Sequence, residues 1–305
     1  MRVVLATEPG TPGWPNEDFA AVAPGAAVLL DGCTTFPAGT VIGCVHGVAW
    51  YARTLGGALL SGITADPPVP LADSLSAAIT EVRNQHEDTC DLTNPATPAA
   101  TVTAVRVTAA GIDVLALSDS VIMADYGDDR PPLVITDTHK AASASTDAAR
   151  RAYTATLPST GIRGIALLSD GATRITDKYD LLSWPAMLAV IRDDGPAQLI
   201  RQVRAAEDSD PGCVRWPRYK PRDDATIIYW HEPAEGPGST HPAPGVIADL
   251  PADLTAAAPL PRTEGGPHCP GTGGGCPASY GSSARTAIAS RRQGRRCPLL
   301  SPCAA

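Results

Sequence analysis

Two periods of apolar residues alternate along the first 231 positions of the chain. Short apolar runs bounded by turn residues predict strands at 2–6, 19–23, 26–30, 101–107, 112–117, 121–124, 164–168 and 226–230. Apolar residues at helical spacing predict helices at 43–60, 71–85, near 141–155, and at 183–192 and 196–206. Paired strands interrupted by blocks of helices favour a layered α+β sandwich over a regular βαβ series.

The periodic pattern ends after Trp230, where the composition changes. Residues 232–305 are dominated by Pro, Gly, Ala and Ser. Such a segment cannot bury enough apolar surface to offset the entropy lost on ordering. We therefore predict one folded domain at 1–231 and a disordered tail at 232–305.

Charge and hydropathy exclude several classes of partner. The formal net charge of −8 and the pI near 5.2 provide no broad basic field for nucleic acid. No apolar run has the length needed to span a bilayer, and the N-terminal residues lack the pattern of a signal peptide. We expect a cytoplasmic protein that binds neither nucleic acid nor membrane, whereas the sequence leaves the oligomeric state open.

Acidic residues recur where predicted strands begin or end. The motifs, in chain order, are Asn16-Glu17-Asp18, Asp31-Gly32, Asp119-Ser120, Asp170-Gly171 and Asp223-Asp224. Any single Asp-Gly pair is more often a turn than a ligand, so the ordered set of motifs carries the prediction. Carboxylates gathered at strand ends repel one another unless cations neutralise them, and oxygen ligands suit Mg²⁺ or Mn²⁺.

The order of these motifs resembles that of the PPM-type serine/threonine phosphatases, the protein phosphatase 2C family. The likeness covers roughly residues 1–231 and is that of a divergent bacterial member. It implies an αββα sandwich of two antiparallel sheets flanked by helices. It also implies hydrolysis of Ser/Thr phosphomonoesters, in phosphoproteins or other substrates of bacterial signalling. Two Mn²⁺ or Mg²⁺ ions would activate a bridging water, and bacterial members hold a third ion.

The resemblance also assigns metal ligands to positions of this sequence. Asp31 would bridge both ions, with the carbonyl of Gly32 as a further ligand. Asp170 and Asp223 would hold the second ion, and Asp119 would serve the additional one. Catalysis would then depend on Asp31, Asp170 and Asp223 through metal-bound water.

The N-terminal motif and the phosphate-binding group are less regular. Glu17, with Asp18 as a second candidate, would act mostly through metal-bound water. Family members carry a phosphate-binding arginine four residues before this glutamate, but here that position is Gly13. Lys220 and Arg222 are candidate replacements for that arginine. The missing arginine keeps an alternative open: a catalytically weak or inactive pseudophosphatase that acts as a regulatory binding module.

Cysteine and histidine show no ligand pattern in the sequence. Four of the eight cysteines, Cys33, Cys44, Cys90 and Cys213, lie far apart in the predicted domain, and the others lie in the tail. No CxxC pair occurs, and none of the six histidines forms an HxH or HxxxH pair. We expect free thiols, and for His46 a place in the packing of the first predicted helix.

Overall fold

The predicted alternation of strands and helices is present in the structure. The computed structural model describes residues 2–33, 43–65, 69–127, 130–137, 141–143 and 145–231. The predicted tail lies outside these residues, so its disorder stays a prediction. None of the described helices is both long and apolar enough to cross a membrane.

Every strand pair recorded in the described residues is antiparallel. The strands are β1 (Arg2–Glu8), β2 (Phe19–Ala23), β3 (Ala26–Leu30), β4 (Gly32–Cys33), β5 (Ala99–Ala100), β6 (Val102–Thr108), β7 (Gly111–Leu117), β8 (Val121–Asp125), β9 (Leu133–Ile135), β10 (Tyr153–Leu157), β11 (Gly164–Leu168) and β12 (Ala225–His231). One five-stranded sheet has the order β1-β12-β11-β8-β9 and the other the order β10-β7-β6-β3-β2. A short two-stranded sheet pairs β4 with β5.

The helices cover the outer faces of both sheets. They are α1 (Val48–Ala65), α2 (Leu71–His86), α3 (Asp147–Arg151), α4 (Asp170–Asp177), α5 (Trp184–Asp193) and α6 (Pro196–Asp208). The first three pack in one apolar cluster with β3, β6 and β7, and the last three in another with β8, β11 and β12. A third cluster fills the space between the sheets. These layers form the predicted αββα sandwich.

Alternation along the central strands explains why the sheets are buried on both faces. In β3, Val28 and Leu30 belong to the cluster under α1 and α2, whereas Ala27 and Leu29 belong to the cluster between the sheets. Successive side chains of a strand point to opposite faces, so a strand between two layers is apolar throughout. The apolar runs that predicted these strands therefore reflect burial on both sides.

Some predicted elements differ from the structure. The first helix begins at Val48 rather than at residue 43, because Gly47 adopts a left-handed conformation with φ of 80°. The helix predicted near 141–155 covers only Asp147–Arg151 in the described residues. The following segment, Tyr153–Leu157, is instead a strand that pairs with β7. Asp170–Asp177, for which the sequence analysis predicted no element, is helical and packs against α6 and β12.

Candidate metal centre

The antiparallel order of the strands brings the acidic motifs to one edge of the sandwich. The C-terminal ends of β3, β7 and β11 lie beside the N-terminal ends of β2, β8 and β12. Asp31, Asp119 and Asp170 follow the first three strands, and Asp18 and Asp223 precede two of the others. We call these five aspartates the acidic edge.

Asp31 and Gly32 are held by backbone contacts from two neighbouring segments. The backbone N–H of Asp31 donates to Thr101 Oγ1 at 3.2 Å, and the N–H of Thr101 donates to the carbonyl of Asp31 at 2.8 Å. The N–H of Gly32 donates to the carbonyl of Glu17 at 3.2 Å. A Cβ at residue 32 would lie 2.5 Å from Val48 Cγ1 and 2.7 Å from that carbonyl. Only glycine fits this approach.

Asp170 occupies the first position of α4, where contacts with β12 fix the start of the helix. Ser169 N–H donates to the carbonyl of Thr226 at 3.1 Å, and Thr226 N–H donates back to Ser169 Oγ at 2.9 Å. A Cβ at Gly171 would overlap the carbonyl oxygen of Asp224. The second Asp-Gly pair is therefore also a close-packing requirement, and it places Asp170 beside the last acidic motif.

Burial and mutual repulsion perturb the carboxyl groups of the acidic edge. Burial raises the pKa of Asp31 well above its usual value, and the charges of Asp18 and Asp170 raise it further. Burial, together with the charge of Asp223, raises the pKa of Asp170 to about 6 although Arg174 opposes the shift. Asp31 and Asp170 lie within hydrogen-bonding reach of each other. Carboxylates in this arrangement are stabilised by a cation.

Asp18 provides a test of whether a metal ion fits. Burial raises its pKa to about 7, while the hydroxyls of Thr226 and Ser169 are near enough to lower it. Neither hydroxyl forms a hydrogen bond of regular geometry with it, and both carboxylate oxygens are buried without such a partner among the described residues. Unpartnered buried oxygens beside Asp31 and Asp170 make a donor set that fits a divalent cation such as Mg²⁺ or Mn²⁺.

Asp223 differs because cations of the chain itself neutralise it. Lys220 Nζ donates to Asp223 Oδ1 at 2.7 Å, and the buried guanidinium of Arg174 donates to the other oxygen. Arg174 also pairs with the buried Glu207 at 3.1 Å. The sequence analysis missed Arg174, although its position one helical turn after Asp170 was a usable signal.

Of the subsidiary candidate ligands, Asp119 is exposed, and its charge adds to the rise in the pKa of Asp31. Glu17 contributes its backbone, because its N–H donates to Asp224 Oδ2 at 2.7 Å. The charge of Glu17 also helps to raise the pKa of Lys220. Asp18, the second candidate of the N-terminal motif, is thus the residue of that motif whose carboxylate oxygens are buried without a partner.

The candidate phosphate-binding residues separate in the structure. Lys220 lies at the acidic edge. Burial lowers the pKa of its ammonium group, but the charge of Asp223 outweighs this and raises the pKa, so the group stays protonated. Arg222 instead pairs with Asp208 at the end of α6. Gly13 is exposed and adopts a φ of 83°, which disfavours an arginine at that position.

The match to a family of known proteins covers this whole arrangement of motifs except the last one. The family model for protein phosphatase 2C matches residues 11–204, well over half of the 305-residue chain. The chain belongs to the protein phosphatase 2C family. No curated protein matches it. The predicted family and fold are confirmed, and the family is one of metal-dependent protein phosphatases.

Solved phosphatase structures share the fold at low sequence identity. A bacterial serine phosphatase is 14% identical with a TM-score of 0.53, over 76% of this chain and 97% of that one. The PPM Ser-Thr phosphatase MsPP from Mycobacterium smegmatis, in complex with cacodylate, is 16% identical with a TM-score of 0.51, over 76% and 98%. A serine/threonine phosphatase from Staphylococcus aureus is 14% identical with a TM-score of 0.52, over 76% and 94%.

Proposed function

We propose that this protein phosphatase 2C family member hydrolyses Ser/Thr phosphomonoesters with the help of divalent cations bound at the acidic edge. The observation that carries the proposal is the convergence of Asp18, Asp31 and Asp170, whose carboxyl pKa values are all raised by burial. No cation of the chain pairs with these three carboxylates in the described residues, whereas Asp223 pairs with Arg174 and Lys220. The proposed substrate is a phosphoprotein acting in cytoplasmic signalling.

The residues would have different roles in binding the ions. Asp31, Asp170 and Asp18 would hold two Mn²⁺ or Mg²⁺ ions, with the carbonyl of Gly32 as a further ligand and Asp119 serving a third ion. When bound, such ions supply Lewis-acid stabilisation of phosphoryl oxygens and a water that ionises near neutral pH. The contacts at Gly32 and at Asp170 keep the carboxylates in place before any ion binds.

Lys220 is the better placed of the two candidate phosphate-binding residues. Its ammonium lies close enough to Asp31 and Glu17 for their charges to raise its pKa. A protonated amine beside the proposed cation site can bind an oxygen of the substrate phosphate as a point charge. Both side chains are paired, but Lys220 pairs with Asp223 of the acidic edge, whereas Arg222 pairs with Asp208 at the end of α6, so we expect a smaller contribution from Arg222.

The test is a phosphatase assay on the purified full chain with phosphoserine and phosphothreonine peptides and an aryl phosphate. We expect turnover with Mn²⁺ or Mg²⁺ that EDTA removes. Asp31→Ala should lower kcat/KM by more than about 100-fold, since even residues that only support metal ligands are worth about 10–100-fold. Asp73→Asn, a change to an exposed carboxylate in the first turn of α2, is the matched control. Turnover that survives both EDTA and Asp31→Ala would overturn the proposal.

A second function is favoured by one specific contact. The pairing of Asp223 with Arg174 and Lys220 places cations of the chain where the resemblance assigns a metal ligand. With Gly13 in place of the phosphate-binding arginine, this arrangement suits a non-catalytic module that binds a regulatory partner. This alternative predicts no turnover over a broad panel of phosphorylated substrates with either metal, whereas robust metal-dependent turnover would exclude it.

A further inference from the structure

Two pairs of soft ligands meet at the ends of α1 and α2. Cys44 and His46 lie in the loop that leads into α1, His86 is the last residue of α2, and Cys90 follows it by one turn. One ligand atom from each of the four residues lies within 4.8 Å of all the others. We call these four residues the Cys/His cluster. The sequence analysis expected isolated thiols and a packed histidine, because members of the two pairs are separated by about forty residues.

Four distances between ligand atoms of the Cys/His cluster lie within about 0.4 Å of those expected around a tetrahedral zinc ion. The two sulfurs are 3.4 Å apart, and His46 Nδ1 lies 3.4 Å from Cys90 Sγ and 3.6 Å from Cys44 Sγ. His86 Nδ1 lies 3.6 Å from Cys44 Sγ. Zinc bonds of ~2.3 Å to sulfur and ~2.0 Å to nitrogen at tetrahedral angles imply ~3.8 Å between sulfurs and ~3.5 Å between sulfur and nitrogen. We propose that Cys44, His46, His86 and Cys90 form a structural zinc site.

The backbone brings the two pairs together independently of any metal. The N–H of Cys90 donates to the carbonyl of His86 at 2.9 Å, which places both side chains on one face of a helical turn. The N–H of Asp91 donates to the carbonyl of Gly43 at 2.8 Å and thereby joins the two loops. A Cβ at Gly43 would overlap the carbonyl oxygen of Asp91. The loops are therefore packed too closely for any other residue at position 43.

Aromatic packing orients the two imidazoles. The ring of His46 stacks on Trp50 with centroids 4.3 Å apart, and the ring of His86 lies 5.2 Å from the same indole. Packing holds the Nε2 side of the His86 ring, because that nitrogen is buried without a hydrogen-bond partner among the described residues. Both Nδ1 atoms are consequently directed toward the sulfurs.

The protonation states of Cys90 and His86 favour metal binding, whereas burial raises the pKa of the Cys44 thiol, which must lose its proton to bind a metal. Burial raises the pKa of the Cys90 thiol, but hydrogen bonds, first among them one from the backbone of Val45, outweigh it and lower the pKa to about 7. Burial also lowers the pKa of His86, so that imidazole is neutral at physiological pH. A thiolate and a neutral imidazole are the forms that bind zinc.

Neither a disulfide nor apolar packing accounts for the whole Cys/His cluster. A disulfide between Cys44 and Cys90 would require the sulfurs to be ~2.05 Å apart, and both cysteines are free in the structure. It would also leave the convergence of two imidazole nitrogens unexplained. Apolar packing explains a buried thiol such as Cys44 but not the exposed His46. Two sulfurs and two nitrogens at tetrahedral distances are typical of zinc.

The site would join the end of α2 to the loop before α1. Val48, the first residue of α1, packs against Gly32 at the acidic edge. Zinc would thus hold the start of α1 against the strand that follows Asp31. All four ligand positions are taken by protein atoms, so the site has a structural role. This inference does not depend on the proposed phosphatase activity.

The experiment measures zinc in the full chain purified without added metal and then equilibrated with Zn²⁺. We expect about one tightly bound zinc ion per chain, released when a mercurial reagent titrates the thiols. The Cys44→Ser/Cys90→Ser variant should lose this zinc and melt about 5 °C lower or more. Matched controls, which should keep it, are Cys213→Ser and the variant with Cys269, Cys276, Cys297 and Cys303 all changed to Ser.

A second measurement does not depend on a variant that could fail to fold. Co²⁺ substituted into the native chain should give thiolate-to-cobalt charge-transfer absorption and the ligand-field bands of a tetrahedral site. The carboxylates of the acidic edge cannot produce the charge-transfer band, and His46→Asn, a change to an exposed ligand, should alter both features. A native chain that binds no zinc and shows no such band, or a Cys44–Cys90 disulfide found by mass spectrometry, would overturn the proposal.

Discussion

The acidic edge and the Cys/His cluster are two groups of candidate ligands that the fold assembles in different ways. At the acidic edge, strand ends from both sheets bring together oxygen donors, and much of their charge is uncompensated. In the Cys/His cluster, helix ends bring together sulfur and nitrogen donors at tetrahedral distances. The first donor set suits a hard ion that keeps water ligands, and the second suits a soft ion enclosed by protein.

The comparison separates exchangeable from permanent metal binding. An ion that takes part in hydrolysis must leave positions for water and substrate, and carboxylates at an edge allow this. A closed set of four protein ligands allows no such position. We therefore expect the acidic edge to respond to Mn²⁺ concentration and the Cys/His cluster to keep its ion through purification.

The largest effect on stability should come from Arg174, the buried cation that partly compensates the acidic edge. Arg174→Met leaves Asp223 and Glu207 each with one cationic partner fewer. Removing one member of a buried ion pair costs about 3–5 kcal/mol, so the free energy of unfolding in urea should fall by about that amount. Arg83→Met removes an exposed pair with Glu87 and should cost less than about 0.5 kcal/mol. Equal losses in the two variants would show that the buried network adds little.

The next largest effect should distinguish Lys220 from Arg222 as the phosphate-binding residue. Lys220→Met should raise KM for a phosphopeptide about tenfold, equivalent to about 1.4 kcal/mol, because a charge-assisted contact is lost. Arg222→Met should change KM less than about twofold, because its guanidinium pairs with Asp208 at the end of α6 and not with a residue of the acidic edge. The measurement is steady-state kinetics at saturating Mn²⁺. The reverse ranking would reassign the phosphate contact to Arg222.

Asp31→Asn should change metal binding at the acidic edge and leave the Cys/His cluster unaffected. Without the repulsion among Asp31, Asp18 and Asp170, chain free of Mn²⁺ and Mg²⁺ should melt about 2–4 °C higher, equivalent to about 1 kcal/mol. The rise in melting temperature that Mn²⁺ causes in the native chain should disappear, while zinc content stays unchanged. Differential scanning calorimetry with parallel metal analysis checks both. Loss of zinc in this variant would mean that the two regions are not independent.

The last prediction concerns pH rather than a substitution, and it applies to the chain free of Mn²⁺ and Mg²⁺. Asp18 and Asp170 have folded-state pKa values of about 7 and about 6, against a usual value of 3.8. Between these limits the folded chain binds more protons than the unfolded chain, so the free energy of unfolding falls as pH rises from about 4 to about 7. Urea unfolding at a series of pH values measures the slope, and Asp18→Asn should flatten it. A free energy of unfolding that rises with pH over this range would contradict the raised pKa values.

The sequence motifs of the acidic edge could be located because their signals are local. Asp31 and Asp170 each follow an apolar strand and precede a glycine, and the structure places both at the same edge. The choice between Glu17 and Asp18 was harder, since neighbouring residues at a strand start point in different directions and only the tertiary structure decides which carboxylate is buried. Arg174 was missed because its partner Asp223 lies 49 residues away.

The Cys/His cluster could not be recognised from spacing in one segment. Cys44 and His46 lie at the start of the first predicted helix, whereas His86 and Cys90 follow the second. The contact between α1 and α2 brings the start of one beside the end of the other. Ligand pairs flanking a helical hairpin were the available signal. The start of α1 was also wrong in the prediction, because the apolar residues Val45 and Val48 continue the helical spacing across Gly47.

The residues of the acidic edge come from both layers of the sandwich. Asp31 follows β3 in one sheet and Asp170 follows β11 in the other. An ion bound by both would crosslink the sheets, so ion affinity and the packing between the sheets become reciprocal properties. Shortening Leu29 or Leu167 in the layer between the sheets should then change the affinity for Mn²⁺ without touching any ligand. The apolar interior would act as a remote determinant of metal affinity.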